Sequence, residues 1–179
     1  MASFENTVTI RRPVEDVFAF LADFENIPKW NYAIVETRKV SPGPVGVGTT
    51  YRQTRSVPRS SEEAFEVTAF EPPRRLEVQG QIGPFRARIG YLLDPTGGGT
   101  TLTNAVDLQW SGLLTLVAPL ATSRVKNAVA ANLDTLRQLL ERAAKVGNAG
   151  RRRRRPSVGG VSASGSVSVG GAVRSPAGS

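Results

Sequence analysis

The sequence predicts one α+β domain over residues 1 to about 145, in which a curved antiparallel sheet of about six to seven strands wraps around a long C-terminal helix. Segments with strand-like alternation follow one another from 33 to 110, and turns rich in glycine and proline separate them. A long apolar stripe at helical spacing begins after residue 112. The connections are too short for parallel crossovers, so neighbouring strands are antiparallel.

The first 30 residues predict a strand followed by two short helices. Residues 3–11 alternate between apolar and polar side chains, which is typical of a half-buried strand. Pro13 suits the first turn of a helix, and Glu15 and Asp16 stand where the helix dipole favours negative charge. A second helical segment covers 24–30.

Further strands are predicted before the long helix, and most of them end at a proline or glycine turn. DPTGGG is the clearest hairpin signal. In the last two strands apolar side chains occupy alternate positions, so the sheet has one dry face and one wet face. The predicted strands are 33–40, 49–57, 62–70, 76–82, 85–93 and 100–110.

A helix over about 120–145 is predicted to cover the dry face, because its leucines and valines recur on one stripe. Residues 112–119 extend the pattern, and Pro119 should kink the helix or mark its true start. The chain beyond 146 lacks periodicity and bulky side chains, and such a segment cannot bury enough surface to become ordered. We therefore predict a folded domain over 1–146 and a disordered Arg/Gly/Ser-rich tail over 147–179.

The formal net charge of +8 belongs to the tail. Residues 1–145 carry 17 Lys and Arg against 15 Asp and Glu, whereas residues 146–179 carry six arginines and no acid. The basic run Arg151–Arg155 could give a salt-sensitive, sequence-independent affinity for nucleic acid or an anionic membrane. No aromatic side chain is interleaved with it to stack on bases, so this partner is only weakly supported.

The chain contains neither cysteine nor histidine. Their absence excludes disulfides, Ser-His-Asp and Cys-His catalysis, and His-ligated zinc or iron. No metal and no cofactor are predicted. The N-terminal residues do not resemble a signal peptide, and no apolar run approaches the roughly 20 residues that span a bilayer. We therefore expect a cytoplasmic protein, and the oligomeric state is left open.

Several segments resemble the SRPBCC superfamily. IRRPVEDVFAFLADFENIPKW (10–30) is similar to its opening, where a strand precedes Pro-Val-Glu-x-Val-Phe and Asp-Phe-x-x-x-Pro-x-Trp. GVGTTYR (46–52), FEVTAFEPPRRLEV (65–78) and the terminal Leu-rich helix match its later blocks in order. The resemblance covers about 1–145 and is greatest to the branch of polyketide cyclases, dehydrases and lipid-transport proteins.

The resemblance implies the helix-grip, or START-like, fold, with a deep cavity between the concave face of the sheet and the long helix. It also implies an apolar ligand such as a lipid, a sterol or a polyketide. The superfamily shares no catalytic motif, so the catalytic residues stay unknown.

Alternation predicts which side chains face this cavity, although an ordinary filled core is the alternative interpretation. Asn104 is the most informative of them, because a polar side chain in a dry row must find a partner, either in a ligand or in the backbone. Tyr51 and Arg55 face the cavity only if that side of their strand is concave, and the sequence leaves this open. The predicted ligand-binding residues are Tyr51, Arg55, Phe85, Ile89, Tyr91, Asn104, Val106, Leu108 and Ala128.

The leading functional hypothesis is a non-enzymatic or weakly enzymatic protein that binds, and by extension transports, a small hydrophobic ligand such as a lipid or polyketide-like molecule. The first alternative is a polyketide cyclase/aromatase or dehydratase that uses Tyr51 or Arg55 with bound water in the same cavity. The second alternative is an interaction module whose basic tail binds nucleic acid or an anionic membrane. A structure without any internal space would contradict the leading hypothesis.

Overall fold

The computed structural model describes residues 1–82, 85–109 and 118–153. Within these residues seven strands form one antiparallel sheet, in the order β1-β7-β6-β5-β4-β3-β2. The predicted α+β helix-grip fold is thereby confirmed. The strands are β1 (Ala2–Ile10), β2 (Ile34–Lys39), β3 (Thr50–Arg55), β4 (Ser61–Glu71), β5 (Arg75–Ile82), β6 (Phe85–Thr96) and β7 (Gly99–Gln109).

Three helical elements accompany the sheet in the described chain. Helix α1 (Val14–Ala22) and a 3₁₀ helix (Phe24–Lys29) follow β1, and α2 (Ala118–Arg153) comes last. Helix α1 has acidic residues in its first turn, as predicted. None of the described helices has an apolar stretch that is long enough to cross a bilayer.

The sheet has the predicted dry and wet faces. Along β7 every even-numbered residue from Thr100 to Leu108 is buried, and the odd-numbered residues between them are more exposed. Along β6 the odd-numbered residues from Phe85 to Leu93 are inward, and Ala87 and Leu93 are the most deeply buried of them. These two strands are in register over their full length, which aligns their apolar rows.

The interior divides into two apolar clusters. The larger one joins α1 and the 3₁₀ helix to the sheet and to α2, with Val17, Leu102 and Leu136 completely buried. The smaller one lies on β1, β6 and β7, where Val106 and Leu108 pack with Phe4 and Ala87. Phe85 and Ile89, together with Val125 and Val129 of α2, pack against this smaller cluster.

The β4–β5 pair shows one local cause of the curvature. Its register shifts between Val67 and Ala69, and such irregularities bend a strand and increase its twist. Gly80 pairs with Phe65 on the same two strands. A Cβ on Gly80 would overlap the carbonyl oxygen of Ala64 and lie 2.6 Å from Phe65 Cβ. Glycine is therefore needed here for the close approach of the backbones.

Helix α2 differs from its predicted limits. The described helix begins at Ala118, so Pro119 lies in its first turn, where proline is tolerated. Its backbone continues to Arg153, beyond the predicted end near 145. Alanine and arginine have high helix propensities, which favour this continuation although the segment also contains two glycines. The predicted helical segment at 112–117, the strand end at Trp110 and the tail over 154–179 lie outside the described residues.

Candidate functional site

A partly open cavity lies between the concave face of the sheet and the segment that runs from the end of α1 through the 3₁₀ helix. It has a volume of about 70 Å³, against about 300–1,000 Å³ for the pockets that hold drug-sized ligands. The cavity in this form admits a small molecule or one part of a larger one. The described lining residues are Leu21, Phe24, Ile27, Trp30, Asn31, Gln53, Arg55, Phe65, Val78, Gly80, Gln81, Ala87, Ile89 and Tyr91.

The cavity lies over a different part of the concave face from the one that the family resemblance implied. No residue of α2 is among the described lining residues. Instead, Val125 and Val129 of α2 pack on the smaller apolar cluster. Trp30, which follows the 3₁₀ helix, is buried and lines the cavity.

A charge-compensated group forms one wall of the cavity. Arg55 Nε donates to Glu63 Oε1 over 2.6 Å, and Arg55 Nη2 donates to Glu63 Oε2 over 3.1 Å. Gln53 Nε2 donates to the same Oε2 over 2.7 Å. The side chains of Arg55 and Glu63 are only 13% and 2% exposed. This wall therefore presents polar atoms but almost no net charge.

The register of β3 and β4 explains this group. Gln53 pairs directly with Glu63, and Tyr51 pairs with Phe65. Tyr51, Gln53 and Arg55 thus lie on the concave side of β3, which answers the question that the sequence left open. A carboxylate on the inward face of β4 finds its two donors on the neighbouring strand.

Tyr51 lies in the core beside the cavity. Its ring stacks on that of Phe65, with centroids 5.1 Å apart, and contacts Phe24 at 5.0 Å. Burial, with a smaller effect of Asp23 and Glu25, raises the pKa of Tyr51 to about 12. The hydroxyl is therefore neutral near pH 7 and is a poor proton acceptor.

Tyr91 differs from Tyr51 because its side chain lines the cavity. Burial raises the pKa of its hydroxyl far above the ordinary value, so the group is a neutral donor and acceptor at physiological pH. It makes no hydrogen bond to the part of the chain that the structure describes. A tyrosine hydroxyl beside an apolar pocket usually takes a hydrogen-bond partner.

Asn104 is buried as predicted, with 1% of its surface exposed. Its Nδ2 donates to the carbonyl oxygen of Gly90 over 3.1 Å. Its Oδ1 is buried without a partner, and so is Nδ2 of Asn6, the residue directly opposite on β1. The backbone therefore pairs the amide nitrogen of Asn104 and leaves its oxygen without a partner.

The structure brings some of the predicted ligand-binding residues together and separates others. Arg55, Ile89 and Tyr91 line the cavity. Val106 and Leu108 belong to the smaller cluster on the dry face, and Phe85 packs against it. Asn104 is opposite Tyr91, and Ala128 is partly exposed on α2. A ligand contact at any of these positions stays a prediction.

Glu63, the buried partner of Arg55 and Gln53, is not among the residues predicted from the sequence. It is in phase with Phe65 and Val67 on β4, and this alternation could have indicated an inward carboxylate. Glu66 is exposed and lines a wider groove of about 820 Å³ on the convex face. That groove is open and polar, so it does not compete as a site for an apolar ligand.

Metal binding has no structural support in the described ranges, where no three acidic or other ligating side chains come together. The oxygen atoms of Glu63 are already occupied by Arg55 and Gln53. The polar groups of the cavity are therefore suited to hydrogen bonding.

Comparisons with known proteins agree with the fold. A sequence profile described as "Polyketide cyclase / dehydrase and lipid transport" matches residues 1–141. No curated protein matches the sequence significantly.

Solved structures share the fold at low sequence identity. TTHA0849 from Thermus thermophilus has 17% identity and a TM-score of 0.68, over 79% of this chain and 99% of that chain. A START superfamily protein from Mycobacterium smegmatis has 18% identity and a TM-score of 0.64, over 77% and 98%. The di-domain ARO/CYC StfQ from the steffimycin biosynthetic pathway has 14% identity and a TM-score of 0.67, over 80% of this chain and 51% of StfQ. The chain thus spans about half the length of StfQ, and these similarities establish the fold alone.

Proposed function

This chain belongs to the polyketide cyclase/dehydrase and lipid transport family, whose fold binds hydrophobic ligands, and from this premise we propose that it binds a small, neutral hydrophobic molecule in the cavity beside the 3₁₀ helix. One observation carries the proposal: the described lining of the cavity is mostly apolar, and its polar side chains are those of Asn31, Gln53, Arg55, Gln81 and Tyr91. An apolar enclosure with a few fixed polar groups is the usual design of a small-molecule site.

The charge balance of the wall supports a neutral ligand. Glu63 already compensates the guanidinium of Arg55 through two hydrogen bonds. An anionic ligand would have to compete with this buried carboxylate and would gain little attraction from Arg55. The hydroxyl of Tyr91 can still take a partner, and a hydroxyl or carbonyl oxygen on the ligand would suit it.

The same contacts disfavour catalysis by Tyr51 and Arg55. Tyr51 stacks in the core, and its pKa is raised to about 12. Arg55 is held by Glu63. Neither group is placed to exchange a proton with a bound molecule near neutral pH. We therefore propose binding, and transport of the bound molecule, as the function.

The proposal is tested by native mass spectrometry and solvent extraction of the purified protein, together with toluene titration followed by amide chemical shifts. We expect a co-purified apolar species, or toluene-induced shifts at residues around Ile89 and Tyr91. Replacing Ala87 by Leu should reduce both signals, because Ala87 is buried in the cavity wall.

Ala64→Leu is the matched control, since Ala64 is exposed on the convex face. It should bind as the parent protein does. Equal loss in both variants would indicate a general effect on the fold. The absence of both a co-purified species and toluene binding in the parent protein would overturn the proposal.

A further inference from the structure

One row of the dry face is polar, whereas the rows on either side of it are apolar. Asn6 on β1, Asn104 on β7 and Tyr91 on β6 are direct cross-strand neighbours. The adjacent rows are Val8–Leu102–Leu93 and Phe4–Val106–Ile89. Three neighbouring polar side chains in the middle of an apolar surface require hydrogen-bond partners.

The two asparagines are left with complementary unpaired atoms. Asn104 Nδ2 is fixed on the carbonyl oxygen of Gly90, so the atom that stays unpaired is an acceptor, Oδ1. Asn6 leaves a donor, Nδ2, buried and unpaired. Directly opposite residues have Cβ atoms about 4.5–5.5 Å apart, yet the two amides do not bond to each other. Leaving such atoms unpaired in the interior is unfavourable.

We infer that Asn6 and Asn104 form a docking site for one hydroxyl group of the ligand, and that the ligand is therefore an alcohol or a phenol. A hydroxyl group donates to Asn104 Oδ1 and accepts from Asn6 Nδ2 at the same time. A ketone or an ether could satisfy only Asn6. This assignment rests on the function proposed above, because Tyr91 connects the row to the cavity that holds the apolar part of the ligand.

The competing occupant is an ordered water, which can also donate and accept. Water alone would give the protein no preference between ligands. A docking site for a hydroxyl group, by contrast, discriminates between molecules of equal size, since the ligand without a hydroxyl group leaves the amides unpaired.

The test compares phenol, anisole and toluene as probes on the full chain at pH 7, by isothermal titration and amide chemical shifts. Phenol should bind about tenfold more tightly than either of the others. Asn6→Leu and Asn104→Leu should abolish this preference while toluene binding persists. Thr101→Val should keep it, because Thr101 lies on the opposite face of β7.

The thermal midpoint of the ligand-free protein is the second readout. Asn6→Leu should raise it, because the variant removes a buried donor that has no partner. A lowered midpoint would show that an ordered water satisfies the amide and would overturn the inference. Equal affinity for the three probes in the parent protein would overturn it as well but leave the proposed function intact. Binding of none of them would count against the cavity itself.

Discussion

At the scale of single residues, Glu63 neutralises the charge that Arg55 brings to the cavity wall. Arg55 is one of the predicted ligand-binding residues, and in isolation its guanidinium would attract an anionic ligand. In the structure Glu63 occupies that guanidinium with both carboxylate oxygens. The electrostatics of the site therefore depend on a partner that lies on the neighbouring strand.

Replacing Arg55 by Met should lower the free energy of unfolding by about 3 kcal/mol, because it leaves a buried carboxylate without its cation. Urea denaturation at pH 7 measures this change. The double variant Arg55→Met/Glu63→Gln should lose clearly less free energy of unfolding than Arg55→Met, since no uncompensated charge remains.

Arg52→Met is the matched control, because Arg52 is exposed on the other face of β3. It should change stability by less than about 0.5 kcal/mol. A double variant as unstable as Arg55→Met would mean that the packing of the side chain matters more than its charge.

At the scale of elements, the strands follow their local patterns closely. Predicted and observed strands differ by three residues or fewer at their ends, because alternation and turn residues are properties of the local sequence. The distance between β4 and β5 depends on contacts between the two strands as well as on local sequence. Their close approach depends on Gly80, whose missing side chain leaves room for Ala64 and Phe65.

Gly80→Ala should destabilise the protein by about 1–3 kcal/mol, because the new methyl group meets backbone atoms that cannot move freely. Gly90→Ala is the internal control. A Cβ at Gly90 meets only Ala105 Cβ, at 4.0 Å, which is an ordinary contact. Thermal denaturation of both variants should therefore show a loss for Gly80→Ala alone. Equal midpoints would contradict the role given to Gly80.

At the scale of the whole molecule, a contact across 130 residues of sequence ties the end of β1 to α2. The backbone N–H of Arg11 donates to Glu141 Oε1 over 3.0 Å, and Arg11 Nη2 donates to Oε2 over 3.2 Å. The backbone hydrogen bond is the largest cause that lowers the pKa of Glu141, followed by the guanidinium of Arg11. This contact helps to hold the helix on the sheet.

The stabilisation by Glu141 should disappear in acid. Its pKa is lowered in the folded chain from an ordinary value of 4.5, so the unfolded chain binds the proton more readily. The stabilisation is complete above pH 4.5 and is lost as the pH falls through the lowered pKa. Glu141→Gln should thus cost about 1 kcal/mol at pH 7 and much less in acid, as measured by urea denaturation at both pH values.

Glu5→Gln removes the same charge from an exposed position on β1. It should have little effect at either pH. If the cost of Glu141→Gln did not change with pH, the carboxylate charge would not be the source of the stabilisation.

The sequence by itself determined the sheet, its dry face and the inward residues of β6 and β7, because alternation with a period of two is a local property of a strand. The tertiary structure alone decided that Arg55 meets Glu63, that Asn104 faces Asn6, and that the described cavity lies beside the 3₁₀ helix. These outcomes depend on strand register and on the packing of elements that are distant in sequence. Local periodicity says which face a side chain is on, but only the assembled sheet determines its neighbours.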